Sequence, residues 1–281
     1  MAEASARLGA TAEARWLVED VAGQPLARLL AGAVPGPSDV ATAELRRRVG
    51  RRLCGEPLQH VLGRWSFRRL ELRVDGRALV PRPETEVVAG EALAALAARD
   101  VAGGGRRDGP PVAVDLGTGS GAIACALVDE HPTVRVVAVE VAEEARTLAE
   151  ENRATLPPPA ATRLEVRAGS WFEPLADLAG AVDVVVSNPP YLAAAEWPAL
   201  DAVVREFDPY GALVAGPTGL EGIEAVLAGA PRVLAPGGAV VVELAPDQAG
   251  AAVELARCQG ARAAEVRRDL AGRLRCLVAR W

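Results

Sequence analysis

From residue 112 to the last residue, one pattern repeats: a short, nearly unbroken apolar run, then a segment with helical spacing. The runs are VAVDL (112–116), VRVVAVE (134–140), LEVRAG (164–169), VDVVVS (182–187), GAVVVEL (238–244), the weaker ARAAEVRR (261–268) and RLRCLVAR (273–280). Segments such as GAIACALVDEH and AEEARTLAEENRA separate most of them. A strand with one wet face alternates apolar and polar residues, whereas a strand covered on both faces reads as apolar throughout. The pattern therefore predicts an α/β fold: a mostly parallel sheet of seven strands with helices on both faces. The last two runs lie close together, which predicts an antiparallel hairpin at one edge.

The chain before residue 112 reads differently. Residues 11–54 carry helical patterns interrupted at GAVPGPSD (32–39), with Ser38 or Asp39 as the cap of the next helix. Val40, Leu45, Val49 and Leu53 recur there at helical spacing, and no strand pattern is present. A small helical N-terminal domain over 1–57 is the simplest account. In 58–83, LELRV alternates, Asp75-Gly76 is a turn signal and RALV follows, which predicts a β-hairpin linker. Pro81 and Pro83 then punctuate the chain, ETEVVAGEALAALAA reads as a helix, and 84–281 forms the main domain. GGGRRDGPP (103–111) reads as a flexible loop.

Composition narrows the function. Net charge is −6, pI is about 5.2, and all 31 basic residues are arginine. A dedicated nucleic-acid binder usually carries a basic footprint. Here only RRRVGRR (46–52) is locally basic, and it reads as the solvated face of a helix. The four cysteines (54, 125, 258, 276) form no C-x-x-C pair and have no histidine at ligand spacing, which argues against a zinc module or a disulfide framework. Free thiols, a start without a signal-peptide pattern and no apolar run of the ~18 residues a membrane helix needs point to the cytoplasm.

Chemistry concentrates in two loops. In VAVDLGTGSGAIA, Gly117, Gly119 and Gly121, with Thr118 and Ser120 between them, join a strand to a helix. Glycine suits a turn that needs unusual dihedrals or a backbone that approaches a ligand closely. Asp115 sits at the strand end, and Glu140 ends the next strand, where a carboxylate can accept both hydroxyls of a ribose. GTGSGA also satisfies the dinucleotide pattern G-x-G-x-x-G/A, a weak match by itself. A dinucleotide would put its pyrophosphate at the helix N-terminus. S-adenosylmethionine has no phosphate and needs an acceptor for its ammonium, which suits Asp115 better.

The second loop is SNPPYL (187–192), at the end of the fourth core strand. The Asn188 carboxamide oxygen and the Pro189 carbonyl both accept hydrogen bonds. Pro189 and Pro190 fix φ and hold these acceptors rigidly, and the ring of Tyr191 can cover a planar group. Two fixed acceptors suit an NH₂ on an sp² carbon. Such a nitrogen is a poor nucleophile because its lone pair is delocalised, and holding both N–H bonds aims it. Rigid dipoles facing the positive charge that develops on nitrogen add an electrostatic contribution.

Together, DLGTGSGAIA, the acid at the next strand end and VSNPPY resemble the Rossmann-like S-adenosylmethionine-dependent methyltransferases of exocyclic and amide nitrogens. More narrowly, EPLQHVLGRWSF (56–67), LVPRPETE (79–86), WFEPL (171–175), REFDPYGALVAGPTGLEGI (205–223) and RDLAGRLRCLVA (268–279) resemble, in order, segments of the release-factor glutamine methyltransferase family. The resemblance implies methyl transfer to the side-chain amide of the Gly-Gly-Gln loop of class-one peptide chain release factors. It implies that Gly117 to Gly121 line the methionine part of the cofactor, Glu140 holds the ribose and Trp171 packs at the adenine. Asn188, Pro189, Pro190 and Tyr191 would hold the glutamine, and the helical N-terminal domain would help dock a release factor to a monomeric enzyme.

The chain departs from the family at Ser170, where Asp is usual, and at Ala245-Pro246 in VELAPDQ, where glycine is usual. Glu243 and Gln248 of that segment receive no role. His60, His131 and Cys125 read as structural, and Arg82, Glu84 and Glu86 divide evenly between pocket and helix start. A ribosomal-protein glutamine methyltransferase would use the same pocket. A nucleic-acid adenine methyltransferase would use the same Asn-Pro-Pro-Tyr logic on a flipped base, but needs a basic groove or added domain. A non-catalytic nucleotide-binding module is disfavoured by intact Asn188 and Tyr191. An NAD-linked oxidoreductase lacks a hydride-transfer acid or base beside the glycine loop.

Overall fold

The computed structural model describes residues 2–34, 38–101 and 109–281. Most of the loop read over 103–111 and the centre of the break at 32–39 lie outside them. The elements are, in order, α1 (Ala2–Leu8), α2 (Thr11–Ala22), α3 (Leu26–Leu30), α4 (Asp39–Leu53), α5 (Leu58–Leu62), β1 (Arg64–Phe67), β2 (Leu70–Arg73), α6 (Pro83–Val101), β3 (Val112–Leu116), α7 (Ala122–Glu130), β4 (Arg135–Glu140) and α8 (Glu143–Thr155). Then come α9 (Pro158–Ala161), β5 (Leu164–Ala168), β6 (Val182–Ser187), β7 (Leu192–Ala193), α10 (Ala202–Phe207), α11 (Tyr210–Leu213), β8 (Val214–Gly216), α12 (Glu221–Gly229), β9 (Leu234–Glu243), α13 (Ala249–Cys258), β10 (Ala263–Arg268) and β11 (Leu274–Arg280).

All seven apolar runs are strands of one sheet, in the order β10-β11-β9-β6-β3-β4-β5. β9, β6, β3, β4 and β5 run parallel, and β11 and β10 close one edge antiparallel. The two-residue period of a strand sends alternate side chains to opposite faces. Ala113, Val136, Ala138, Val184, Val186, Ala239 and Val241 enter one core, with Val88 and Leu96 of α6 and Ile123 and Leu127 of α7. Val114, Leu116, Val137, Val139, Val185, Val240 and Val242 enter the other, with Ile223 and Leu227 of α12 and Ala252 and Ala256 of α13. Burial on both faces is why the central strands β3, β4, β6 and β9 read as nearly continuous apolar runs, whereas the edge strands β5 and β10 are partly exposed and mix in polar residues. Each fully buried Leu or Ile contributes on the order of 2 kcal/mol.

The N-terminal helices share a separate core of Ala4, Ala14, Leu17, Val49, Leu58 and Val61. Ser38 caps α4, accepting from Ala41 N at 3.2 Å. Of the four apolar α4 residues, Val49 is buried, while Val40 and Leu53 are exposed. The basic run is not a plain solvated face. Arg48, Arg51 and Arg52 pair with Asp20, Glu56 and Glu13 and tie α4 to its surroundings.

The linker reading needs correction. Residues 58–62 are helical and belong to the N-terminal core. The hairpin is β1–β2, and it turns at Arg68-Arg69 rather than at Asp75-Gly76. Residues 77–80 are not a strand. The reason is tertiary. Arg68 takes a left-handed φ of 53°. Glu86 Oε1 accepts its backbone N–H at 3.0 Å, and Glu130 Oε2 accepts its guanidinium at 2.8 Å. Asp75 instead accepts from the backbone and guanidinium of Arg77, which also pairs with Glu151.

Candidate active site

The carboxyl ends of β3, β4 and β6 open on a cavity of about 370 Å³, within the range of small-molecule sites. This is where ligands bind in open α/β sheets. The glycine loop forms its floor. Gly117, Gly119 and Gly121 have φ of 66°, 56° and 81°, in the left-handed region. At Gly121 a Cβ would also lie 3.2 Å from Ala149 Cβ, so glycine lets α7 start against α8. The N–H groups of Gly117 and Thr118 donate to Val139 O at 2.9 and 3.0 Å, clamping the loop to β4.

Glu140 is 8% exposed and faces the cavity. Its Oε2 accepts from Gly119 N at 2.8 Å and its Oε1 from Ala142 N at 2.9 Å. Each oxygen keeps lone pairs for a further donor, as a diol requires. Asp115 is 1% exposed and lies beneath the loop rather than on the cavity wall. Its Oδ2 accepts from Thr118 Oγ1 at 2.5 Å and Ala124 N at 3.2 Å, while Oδ1 is buried with no partner among the described residues. Burial pushes its pKa up to about 7, against the pull of those two hydrogen bonds.

Of the residues singled out in the sequence, Gly117, Thr118, Gly119, Ser120, Glu140, Trp171, Asn188 and Pro190 line the cavity. Asp115, Gly121, Pro189 and Tyr191 lie off its wall. Ser170 and Trp171 form the far rim, with Trp171 at an unusual φ of 48° for a bulky residue. Arg82 also lines the cavity, and its guanidinium donates to the buried Asp208 at 2.9 Å. Next to Asp208, Phe207 meets the ring of buried His60 edge-on at 6.5 Å. His60 thus joins the N-terminal helices to the cavity rim, and burial lowers its pKa. His131 is structural, its Nδ1 accepting from Val134 N at 3.2 Å. Cys125 is buried, its pKa pushed up to about 12.

The Asn-Pro-Pro-Tyr loop is braced from behind by residues without an assigned role. Gln248 Nε2 donates to Tyr191 O at 2.8 Å and to Gly219 O at 2.9 Å, and its Oε1 accepts from Ala245 N at 3.0 Å. One buried amide thereby joins three segments. Tyr191 N donates to Leu213 O at 3.1 Å, and β7 pairs with β8. A Cβ on Gly222 would stand 2.6 Å from Pro190 O. The glycines of GPTGLEG hinted at a close approach, but only the folded chain gives the approached atom.

Two family models match: the Methyltransferase small domain over residues 109–207 and the PrmC N-terminal domain over 2–63. The release factor glutamine methyltransferase of Deinococcus radiodurans is 40% identical over 272 residues, spanning 95% of this chain and 90% of its own. That of Streptomyces coelicolor is 46% identical over 202 residues, spanning 72% and 67%. The chain belongs to the release factor glutamine methyltransferase family. Solved structures share the fold at low identity. The hMettl16 catalytic domain in complex with MAT2A 3'UTR hairpin 6 aligns with TM-score 0.57 at 14% identity, over 87% of this chain and 82% of that one. A Pyrococcus furiosus methyltransferase aligns with TM-score 0.51 at 17% identity, over 86% and 98%.

Proposed function

We infer that the chain methylates the side-chain amide nitrogen of the glutamine in the Gly-Gly-Gln motif of class-one peptide chain release factors, with S-adenosylmethionine as donor. The carrying observation is that Asn188 and Pro190 face the same cavity as the glycine loop and Glu140. The cavity fits the cofactor in two respects: a carboxylate with free lone pairs, and a floor loop whose alternate residues are glycine in the left-handed region. Gly117 to Gly121 and Glu140 would hold it, with Ser170 and Trp171 at its base. Bound there, it supplies an electrophilic methyl group on a sulfonium.

The protein's part is to hold and aim the acceptor. Asn188, on the cavity wall, would accept one N–H bond of the glutamine amide through Oδ1; just off the wall, the Pro189 carbonyl would accept the other and the Tyr191 ring would cover its plane. This turns the nitrogen lone pair out of conjugation and toward the donor. Fixed dipoles then stabilise the positive charge that grows on nitrogen, so no strong base is needed before transfer; methylation makes the N–H acidic, and its proton passes to water to give the neutral N-methyl amide. The helices up to Leu62 form a docking unit for the release factor, coupled to the rim through His60 and Phe207. The net charge of −6 supports a protein substrate over stable nucleic-acid binding. One chain carries the whole site, so a monomer working in the cytoplasm is the simplest unit.

The test is methyl transfer from labelled S-adenosylmethionine to purified release factor and to its loop Gln→Ala variant, with mass spectrometry locating the label. One methyl on the loop glutamine, absent from the variant, is expected. Intact cofactor binding with no transfer would overturn the substrate assignment.

A further inference from the structure

Two non-glycine residues among those described take a left-handed φ: Arg68 at 53° and Trp171 at 48°. A Cβ crowds the following carbonyl oxygen there, so such strain persists only where the surroundings impose it. At Arg68 the bonds to Glu86 and Glu130 impose it. Trp171 stands on the cavity rim, so whatever imposes its conformation also shapes the site.

The turn over 169–174 that carries Trp171 is fixed at both ends and in its middle. Ser170 O accepts from Glu173 N at 3.0 Å, and Ser170 N donates back to Glu173 Oε2 at 3.1 Å. Gly169 lies against Pro174, where a Cβ would stand 2.9 Å from Pro174 Cδ. Phe172 is the anchor. A Cβ on the buried Gly229, the last residue of α12, would stand 2.9 Å from Phe172 Cγ and nearer still to Cδ2 and Cε2. The ring therefore rests directly on the helix backbone. The helix cannot retreat, because Ile223, Val226 and Leu227 are fully buried in the core beneath it. With Phe172 pinned inward and Ser170 closed onto Glu173, the residue between them takes the left-handed turn and lines the cavity. Gly222, two helical turns earlier on the same face of α12, backs the Asn-Pro-Pro-Tyr loop in the same way. We propose that Phe172, Glu173 and Gly229 are positioning residues that lock Trp171 in its strained conformation as the wall for the cofactor's adenine, with α12 as the common support that sets this wall against the acceptor loop. The inference rests on the proposed cofactor site and adds the device that shapes its base end.

The test uses the full chain and S-adenosylhomocysteine as the probe, with calorimetry as the readout. Gly229→Ala displaces Phe172 and Trp171 with it, and should raise the dissociation constant about tenfold, the scale of a lost base–aromatic stack. In the methylation assay the loss should fall in KM for S-adenosylmethionine rather than in kcat, the reverse of Gly222→Ala at the other end of the helix. Once Phe172→Ala has removed the ring, adding Gly229→Ala should change the dissociation constant by less than about twofold, because nothing is left to clash. Glu173→Ala should weaken binding, and Glu173→Gln, which keeps an acceptor for Ser170 N, should recover most of it. Strain itself has a separate readout: Trp171→Gly should melt above Trp171→Ala, because only glycine takes this φ freely. Unchanged affinity in Gly229→Ala, the same loss from it with and without the Phe172 ring, no recovery in Glu173→Gln, or Trp171→Ala melting at or above Trp171→Gly would each overturn the lock. These readouts need no release factor. The expected shifts with no methylation of release factor support the lock and overturn only the substrate. Failure of the wild-type chain to bind S-adenosylhomocysteine overturns the cofactor reading and the lock together.

Discussion

Gly222→Ala separates loop position from stability. Gly222 sits in the first turn of α12, directly behind the Asn-Pro-Pro-Tyr loop. A Cβ there would lie 2.6 Å from Pro190 O and 3.0 Å from Pro189 Cβ. An ordinary C···O contact is about 3.3 Å, so loop or helix must retreat by roughly 0.7 Å. The loop cannot absorb this locally. Its prolines fix φ, Gln248 holds Tyr191 O at 2.8 Å, and Leu213 O holds Tyr191 N at 3.1 Å. The shift therefore passes to Asn188 and Pro189. Overpacking costs about 1–3 kcal/mol, and better helix propensity returns about 1 kcal/mol, so net destabilisation stays near or below about 2 kcal/mol. A displacement of this size at a reacting centre costs roughly tenfold to hundredfold in rate. The assay is initial methyl transfer at saturating cofactor and release factor, beside a melting curve. Gly250→Ala in α13 is the control, because a Cβ there meets nothing within 4 Å. Wild-type kcat in Gly222→Ala would refute the account of the loop as rigidly backed.

Other perturbations have distinct signatures. Asn188→Ala removes the acceptor but leaves the glycine loop, so kcat should fall at least about a hundredfold while calorimetry still detects cofactor binding; turnover near wild type would sink the clamp. Glu140→Ala removes both carboxylate oxygens from the rim and should weaken cofactor affinity about tenfold or more, the scale of a lost charge-assisted hydrogen-bond pair; unchanged affinity would displace the ribose site. Burial pushes the folded pKa of Asp115 and of Glu243 up to about 7, from ordinary values of 3.8 and 4.5. Between those limits the folded state binds more protons than the unfolded state, so their contribution is fully present below the unfolded values and is lost as pH rises through 7. Asp115→Asn keeps a carbonyl acceptor for Thr118 and Ala124, and should flatten the decline by up to about 1.4 kcal/mol per pH unit. Parallel stability profiles from denaturant titrations at pH 5 to 8 would count against a protonated Asp115.

The sequence by itself determined the sheet. Seven runs became seven strands, and the two-residue period of the central ones, covered on both faces, sorted their side chains into two cores. It also determined where chemistry gathers, because a glycine loop and an Asn-Pro-Pro-Tyr loop at the ends of neighbouring parallel strands must open on the same edge. Local composition carries such features, since periodicity, turn residues and prolines act over a few residues.

Only the tertiary structure decided what lies far apart in the chain. The hairpin turns at Arg68 because Glu86 and Glu130 receive that arginine, overriding the stronger local turn signal at Asp75-Gly76. Asp115 braces the glycine loop from below because α7 brings Ala124 N over it. Thr85 and Gln248 hold the loop from positions 103 and 57 residues away in the chain. Their hydrogen bonds depend on strand register and helix packing, which no short window of sequence specifies. A single buried amide or hydroxyl becomes meaningful only once the fold has chosen its neighbours.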